Sequence, residues 1–338
     1  MSLLVRLKTI SFVICSFALA LLAGLREGND PDYPNYYDIY ISSTRSDFSS
    51  LNVEPVFFYI NKLLSSAGIP FWVLLLMISF PAIFLKLYVI FKKSHYMFFS
   101  ILIYILTIYL SFELIAIRQG LAIGCIMFAA AIWPNNKYTG CILILFGSLF
   151  HISASIALPV FFLMSSRLQK QILYLSFLSI LFLSISGVSL TVVDLLKVIP
   201  LVPGFVISKL DVYASYNQVG LNSSKQFVVC CMAFFIYCYQ DTENSFVKQC
   251  CFLYVVGFLL SLFFSSIGDI AFRIKWYFFW GEIIFIPYAL SLSISKLKNK
   301  RAVPLLLYVF ALFLLVMYLY PAISFINDIS SRGNSLIL

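Results

Sequence analysis

The stretch YTGCILILFGSLFHISASIALPVFFLM, residues 138–164, decides how this chain is arranged. It runs apolar for 27 residues, interrupted by His151 and Ser153. A helix crossing a bilayer needs about 20 apolar residues. The stretch is long for one span and short for two. Lys137 precedes it, and Arg167 and Lys170 follow it. Lys and Arg collect in cytoplasmic loops. The stretch is therefore expected to leave and return on the same side, as a re-entrant hairpin of two short helices turning near His151. Short, broken helices are tolerated where they line a protein cavity.

Composition fixes the solvent. Of 338 residues, 62% are hydrophobic and 11% are charged, whereas a soluble domain carries about 25% charged residues. So few charges cannot cover a water-facing surface, so lipid must be the main solvent. Further spans are expected near 6–25, 70–91, 96–115, 117–134, 172–196, 226–240, 250–270, 274–295 and 303–323. The fold class is an all-α polytopic membrane protein of about ten transmembrane helices, read as a single domain over 1–338. Residues 1–25 resemble a signal peptide, but their apolar run is long enough to stay as an uncleaved first helix.

Orientation follows the cations. Arg6 and Lys8 put the N-terminus in the cytoplasm, and Lys92 and Lys93 follow the second span. The densest cluster, Lys296, Lys298, Lys300 and Arg301, falls inside only if 138–164 returns to its own side. Two longer segments, about 26–69 and 197–225, then face outward. Residues 52–66 read as an amphipathic helix lying along the interface.

Several function classes drop out. The net charge of +9 is mostly loop charge setting orientation, so nucleic acid is not implied. The eight cysteines, at 15, 125, 141, 230, 231, 238, 250 and 251, lie in or beside apolar runs without CxxC spacing, and there are only two histidines. No structural disulfide, metal or haem site is expected, and no cofactor.

The informative residues are the polar ones on the outward side. The first outer segment holds Arg26, Asp30, Asp32, Tyr33, Tyr36 and, further on, Glu54-Pro55. Its plain reading is a polar loop with interfacial tyrosines and a helix-starting proline. Glu113 and Arg118-Gln119 stand between two apolar helices. An ionisable residue there is costly and defaults to function, and arginine offers a planar fork suited to phosphate oxygens. The alternatives are a structural Glu113–Arg118 pair, or Arg118 snorkelling at a helix end. His151 could be a packed core histidine, a proton shuttle or an anion ligand. In Asp269-Ile270-Ala271-Phe272-Arg273-Ile274-Lys275 two cations sit on the outer face, where the charge rule disfavours them. That anomaly points to an anionic ligand, unless Asp269 and Arg273 simply pair across one turn. Lys209 and Tyr213 add a weaker signal in the second outer segment. Together these suit a substrate with a lipid tail, a phosphate or diphosphate, and a sugar.

Five short motifs now stand in order: Asp32-Tyr33-x-x-Tyr36, Glu54-Pro55, Arg118-Gln119 with Leu121-Ala122, Phe150-His151-x-Ser153-Ala154, and Arg273-Ile274-x-x-Tyr277-Phe278. Over residues 26 to 295 the chain resembles the EpsG-like branch of the Wzy polysaccharide polymerases. It departs at Val56, where the family often has glycine after Glu-Pro, and at Asp30-Pro31, which offers a second aspartate for the family's position. The resemblance implies a multi-pass protein of the bacterial inner membrane, working at the periplasmic face. It would join undecaprenyl-pyrophosphate-linked repeat units, donor and acceptor, into O-antigen, capsule or exopolysaccharide without a metal. A chain-length regulator is the usual partner. Arg118 and Arg273, with Arg26, would stabilise the departing diphosphate. Asp32 or His151 would take the acceptor hydroxyl's proton. Tyr33, Tyr36 and Tyr213 would position sugars, and Glu54, Gln119, Lys209 and Tyr277 complete the residues expected to contact substrate.

Rival readings are a lipid-linked oligosaccharide flippase, an O-antigen ligase and a membrane acyltransferase. A flippase usually shows more helices and an internal repeat. A ligase usually has a larger outer loop than 197–225, and an acyltransferase would not call for the two arginine motifs.

Overall fold

The computed structural model describes residues 3–186, 224–239, 245–265, 268–298 and 300–335, apart from 27, 29, 46 and 49–52. Lys209, Tyr213 and most of the second outer segment therefore lie outside the described residues. Every regular element among the described residues is helical. Among the described residues, four helices are long and apolar enough to cross a bilayer: Arg6–Gly24, Phe71–Lys93, Phe246–Phe263 and Val303–Asn327. Ile270–Phe279 and Glu282–Lys296 together would make a fifth, broken between them. The other spans expected from hydropathy are present as apolar helices of 10–17 residues.

The chain forms two compact units, Met1–Ser155 with Ile286–Leu338, and Ile156–Phe285. The first contains α1 (Leu3–Gly24), α2 (Tyr33–Ser42), α3 (Pro55–Ser66), α4 (Phe71–Lys93) and α5 (Met97–Tyr104). Helix α5 runs directly into a π-helix, Ile105–Glu113, followed by α6 (Ile117–Ile132) and α7 (Lys137–Phe150). Helix α1 packs on α4, α4 on α6, and α6 on α7. Helix association in lipid relies on close packing, which favours small residues at the contacts. Gly124 of α6 lies against Ala82 of α4, and an added Cβ would stand 2.9 Å from that residue's carbonyl oxygen. Gly147 of α7 faces Ala122 in the same way, at 3.3 Å from its Cα. Gly124→Ala is therefore expected to cost roughly 1–3 kcal/mol by overpacking. A lowered thermal midpoint of the purified protein in detergent would show it.

Short helices α2 and α3 lie over this core. Tyr36, Ile39 and Tyr40 of α2, and Phe57 and Leu64 of α3, form one apolar cluster with Leu74, Ile78, Ile117, Leu121 and Phe150. The helix expected within 52–66 is α3, which starts at Pro55 where proline's fixed φ suits a first turn. The stretch 138–164 is broken where expected. Helix α7 ends at Phe150, His151 is extended (φ −153°, ψ 103°), and a 3₁₀ turn, Ile152–Ile156, leads on to α8 (Ala157–Met164).

The second unit holds α8, α9 (Gln169–Ser186), α10 (Ser224–Tyr239), α11 (Ser245–Phe263) and α12 (Gly268–Phe279), and runs into the start of α13 (Glu282–Lys296). Helix α11 is its centre, packing on α8, α9, α10 and α12. Tyr254 of α11 stacks on Phe279 of α12 with ring centroids 4.2 Å apart. The chain re-enters the first unit through α13 and ends in α14 (Val303–Leu314), a π-turn (Leu315–Leu319) and α15 (Tyr320–Ser335).

Candidate functional site

Four of the five sequence motifs meet in the first unit, and Arg118 is where they meet. Helix α6 starts at Ile117 after a tight turn, so Arg118 stands in its first turn. Its Nη1 donates to the Glu54 carboxylate, at Oε2. The guanidinium lies 5.1 Å from the centre of the Phe57 ring and 5.6 Å from that of Tyr36. Both rings present a negative face to a cation. The Tyr36 hydroxyl is in hydrogen-bond reach of the same guanidinium, and the Asp32 carboxylate acts on both. Burial pushes the Tyr36 hydroxyl above its ordinary value, with Arg118 pulling the other way. It is therefore a neutral phenol at physiological pH.

Arg118 is not fully committed. An arginine carries five N–H donors. Its Nε is buried and has no protein partner, while its side chain keeps 19% of its exposure. That is an unmet, directional donor beside a charge that protein groups already orient.

Glu54 is also a link to the break at His151. Its Oε1 accepts a long hydrogen bond, 3.4 Å, from the Ile152 amide, which opens the 3₁₀ turn and so has no helical partner of its own. The His151 Nδ1 lies 2.9 Å from the Ser153 hydroxyl, which orients the ring. His151 is buried at 9% exposure. The motifs Glu54-Pro55 and Phe150-His151-x-Ser153 are thus joined through one carboxylate.

The two aspartates of the first outer segment do different things. Asp30 is structural: its Oδ1 accepts from the amides of Asp32 and Tyr33, starting α2, and its Oδ2 accepts from Arg26 Nε at 2.8 Å. Asp32 makes no cap bond to α2 and instead acts on Arg118 and Tyr36. Arg26 closes two helix ends, donating to the carbonyls of Ala23 at 2.8 Å and Glu113 at 3.5 Å. A cation at a helix C-terminus is favoured by the helix dipole. Tyr33 packs edge-on to Phe71, centroids 5.2 Å apart, in a ring set with Tyr37 and Tyr40. Gln119 is buried at 2% exposure.

The paired alternative for Glu113 and Arg118 is corrected by the structure. Glu113 instead receives Lys86 Nζ of α4, and both side chains are fully buried. Lys86 also donates to the carbonyls of Gly120 at 2.6 Å and Ala82 at 3.2 Å. The hydroxyl of Tyr104 donates to the same Glu113 oxygen at 3.3 Å. The turn at 114–116 carries Arg118 away from Glu113 and toward Glu54. Lys86 escaped the sequence reading, although a lysine in the apolar run of α4, well before the terminal Lys92-Lys93, is the signal that could have found it.

The fifth motif is in the second unit. Arg273 is exposed on α12, Tyr277 is fully buried, and Lys275 is buried with its ammonium 4.7 Å from the centre of the Phe272 ring. The Asp269 side chain lies outside the described residues, so the suggested Asp269–Arg273 pair does too. Electrostatically, Lys275 is coupled to Lys225 of α10 and to Glu282 of α13. Those two residues are further ionisable groups that the sequence reading passed over. Among the described residues no group of three His, Cys, Asp or Glu side chains could hold a metal ion.

No curated protein and no solved structure matches the chain significantly. The EpsG family model does match, over residues 9–330, and the chain therefore belongs to the EpsG family.

Proposed function

We propose that this membrane protein is a polysaccharide polymerase of the bacterial inner membrane. Family membership supports a polysaccharide-polymerase-like role. The finer reading is glycosyl transfer at the periplasmic face, from a growing glycan on undecaprenyl pyrophosphate to the next lipid-linked repeat. In that reaction the bond between the anomeric carbon and the diphosphate oxygen breaks, and a bond to an acceptor hydroxyl oxygen forms. The hydroxyl proton must leave, and negative charge grows on the diphosphate.

The observation that carries this reading is Arg118: clamped by Glu54, flanked by Tyr36 and Phe57, and left with an unmet Nε donor. A fixed guanidinium is suited to charge that develops during the reaction, because it need not reorganise at that moment. Arg26 is a second guanidinium in the same unit. Asp32, or His151 with its ring fixed by Ser153, is the candidate base. The tyrosines would orient sugars, and Tyr36 stays neutral to do so.

A strain lacking this protein tests the reading through its surface glycan on a gel. The polymerase reading expects loss of the ladder with a single repeat still displayed, restored by the intact protein. Repeats trapped inside the cell would instead mean a flippase, and polymer free of lipid A would mean a ligase. With purified protein and lipid-linked repeats, the ladder should form in the presence of a chelator.

A further inference from the structure

The end of α1, the π-helix with the turn after it, and α15 surround a cavity of about 340 Å³ in the first unit. Its walls are apolar, including Leu114, Ile115, Phe325 and Ile326, and its charged lining groups are Arg26 and Asp30. The volume is at the lower end of ligand pockets, which run from about 300 to 1,000 Å³. Arg26 is nine-tenths buried, at 10% side-chain exposure. Its Nε is held by Asp30 and its Nη1 by the Ala23 carbonyl, but its buried Nη2 has no partner. A buried donor without an acceptor is costly to leave unmet. Here it belongs to a residue that lines an apolar cavity.

We infer that this cavity receives the phosphate-proximal end of a polyisoprenoid chain, with Arg26 Nη2 donating to the first phosphate of that lipid. The inference rests on the polymerase reading for its substrate class and adds a location for the carrier. Three features favour a lipid phosphate over a free anion. Asp30 already neutralises Arg26, so a small anion gains little charge attraction on entering. The ligand must also bury apolar surface, which a tail supplies and a free anion does not. And in an 18-residue stretch of the Val303–Asn327 span only 11% of the residues are buried in the protein, so the helix that forms this wall presents most of its surface outward, where a lipid tail would lie. The same site also adjoins the reacting groups: the Asp30 carboxylate that holds Arg26 also holds the amides of Asp32 and Tyr33. Phosphate held by Arg26 is thus one carboxylate away from the helix that presents Asp32 and Tyr36.

Native mass spectrometry of the full chain in detergent tests this with three probes: a polyprenyl diphosphate, phosphatidylglycerol and inorganic pyrophosphate. Ile326→Trp fills the cavity from α15, where the side chain is half exposed and a larger one is tolerated. Leu114→Trp fills it independently from the turn after the π-helix. Each should weaken retention of the polyprenyl diphosphate about tenfold, the scale of two displaced methylenes. Retention of phosphatidylglycerol should not change. Arg26→Gln should weaken the polyprenyl diphosphate similarly, and inorganic pyrophosphate should bind far more weakly than the lipid throughout. Unchanged retention in both tryptophan variants would overturn the assignment. So would equal retention and parallel loss of phosphatidylglycerol, which would make the cavity a bulk-lipid groove. If the tryptophan variants behave as expected while a strain lacking the protein keeps its full glycan ladder, the cavity stands and the polymerase reading falls. If Arg118 variants lose the ladder but filled cavities keep both lipid and ladder, the cavity falls alone.

Discussion

Replacing Lys86 with methionine is expected to destabilise the protein by about 3–5 kcal/mol, the cost of leaving one member of a buried ion pair without its partner. Lys86 and Glu113 are both fully buried. The lysine satisfies Glu113 Oε1 and the carbonyl of Gly120, so three elements meet at one ammonium: α4, the π-helix and the first turn of α6. Tyr104 adds a hydrogen bond to that carboxylate oxygen at 3.3 Å, while Glu113 Oε2 has no partner. Removing the lysine strands a carboxylate in an apolar interior. Gly120 leaves no room for repair, because a Cβ there would meet the Phe112 carbonyl oxygen at 2.6 Å and Glu113 Oε2 at 2.9 Å. The double variant Lys86→Met with Glu113→Leu should recover most of the loss, since a buried pair exchanged for apolar residues is often neutral. Thermal unfolding of the three proteins in one detergent decides the matter. Equal midpoints for the single and double variants would show that the pair is not coupled.

The break at His151 was legible in the sequence through charge rather than length: cations stand at each end of the 27 apolar residues, whereas two arms of that stretch are each short of a full span. Asn136 even marks the start of α7, its side chain accepting from the Thr139 amide at 3.0 Å. That is a local signal, written within one helical turn. The gathering of Asp32, Tyr36, Glu54 and Arg118 was legible only as a list of motifs. The partner of Arg118 lies 64 residues away and that of Glu113 lies 27 away. Such pairings are set by which helices pack together, and sequence spacing does not encode them. The nearer Glu113–Arg118 spacing misled for the same reason, since the π-helix ends at Glu113 and a turn intervenes. The π-helix itself left no mark in the apolar pattern of 105–113. The two roles of the neighbouring aspartates became distinguishable only when Asp30 was found holding Arg26 and two amides.

Arg118→Lys is expected to remove polymer chains longer than one repeat, with a fall in kcat of roughly 10²- to 10³-fold, the usual loss when one preorganised donor to developing charge is removed. Charge alone should not rescue it. Lysine is a strongly hydrated point charge on a flexible stem, without a planar fork to be clamped by Glu54 while another donor faces substrate. The ring contacts of Tyr36 and Phe57 are also made to a flat cation, at 5.6 and 5.1 Å from its central carbon. The effect should fall on kcat more than on KM, because the interaction strengthens as charge accumulates on the departing diphosphate. Glu54→Gln keeps the shape of the clamp and removes its charge, so a smaller loss is expected. Glu54→Ala leaves the guanidinium and the Ile152 amide both unheld, and should resemble the Arg118 variant. Initial rates on lipid-linked repeats, with protein amounts matched by blotting, separate these cases. Full-length ladders formed at the normal rate by stably expressed Arg118→Lys would remove the guanidinium from the mechanism, and with it the reason for assigning glycosyl transfer to this site.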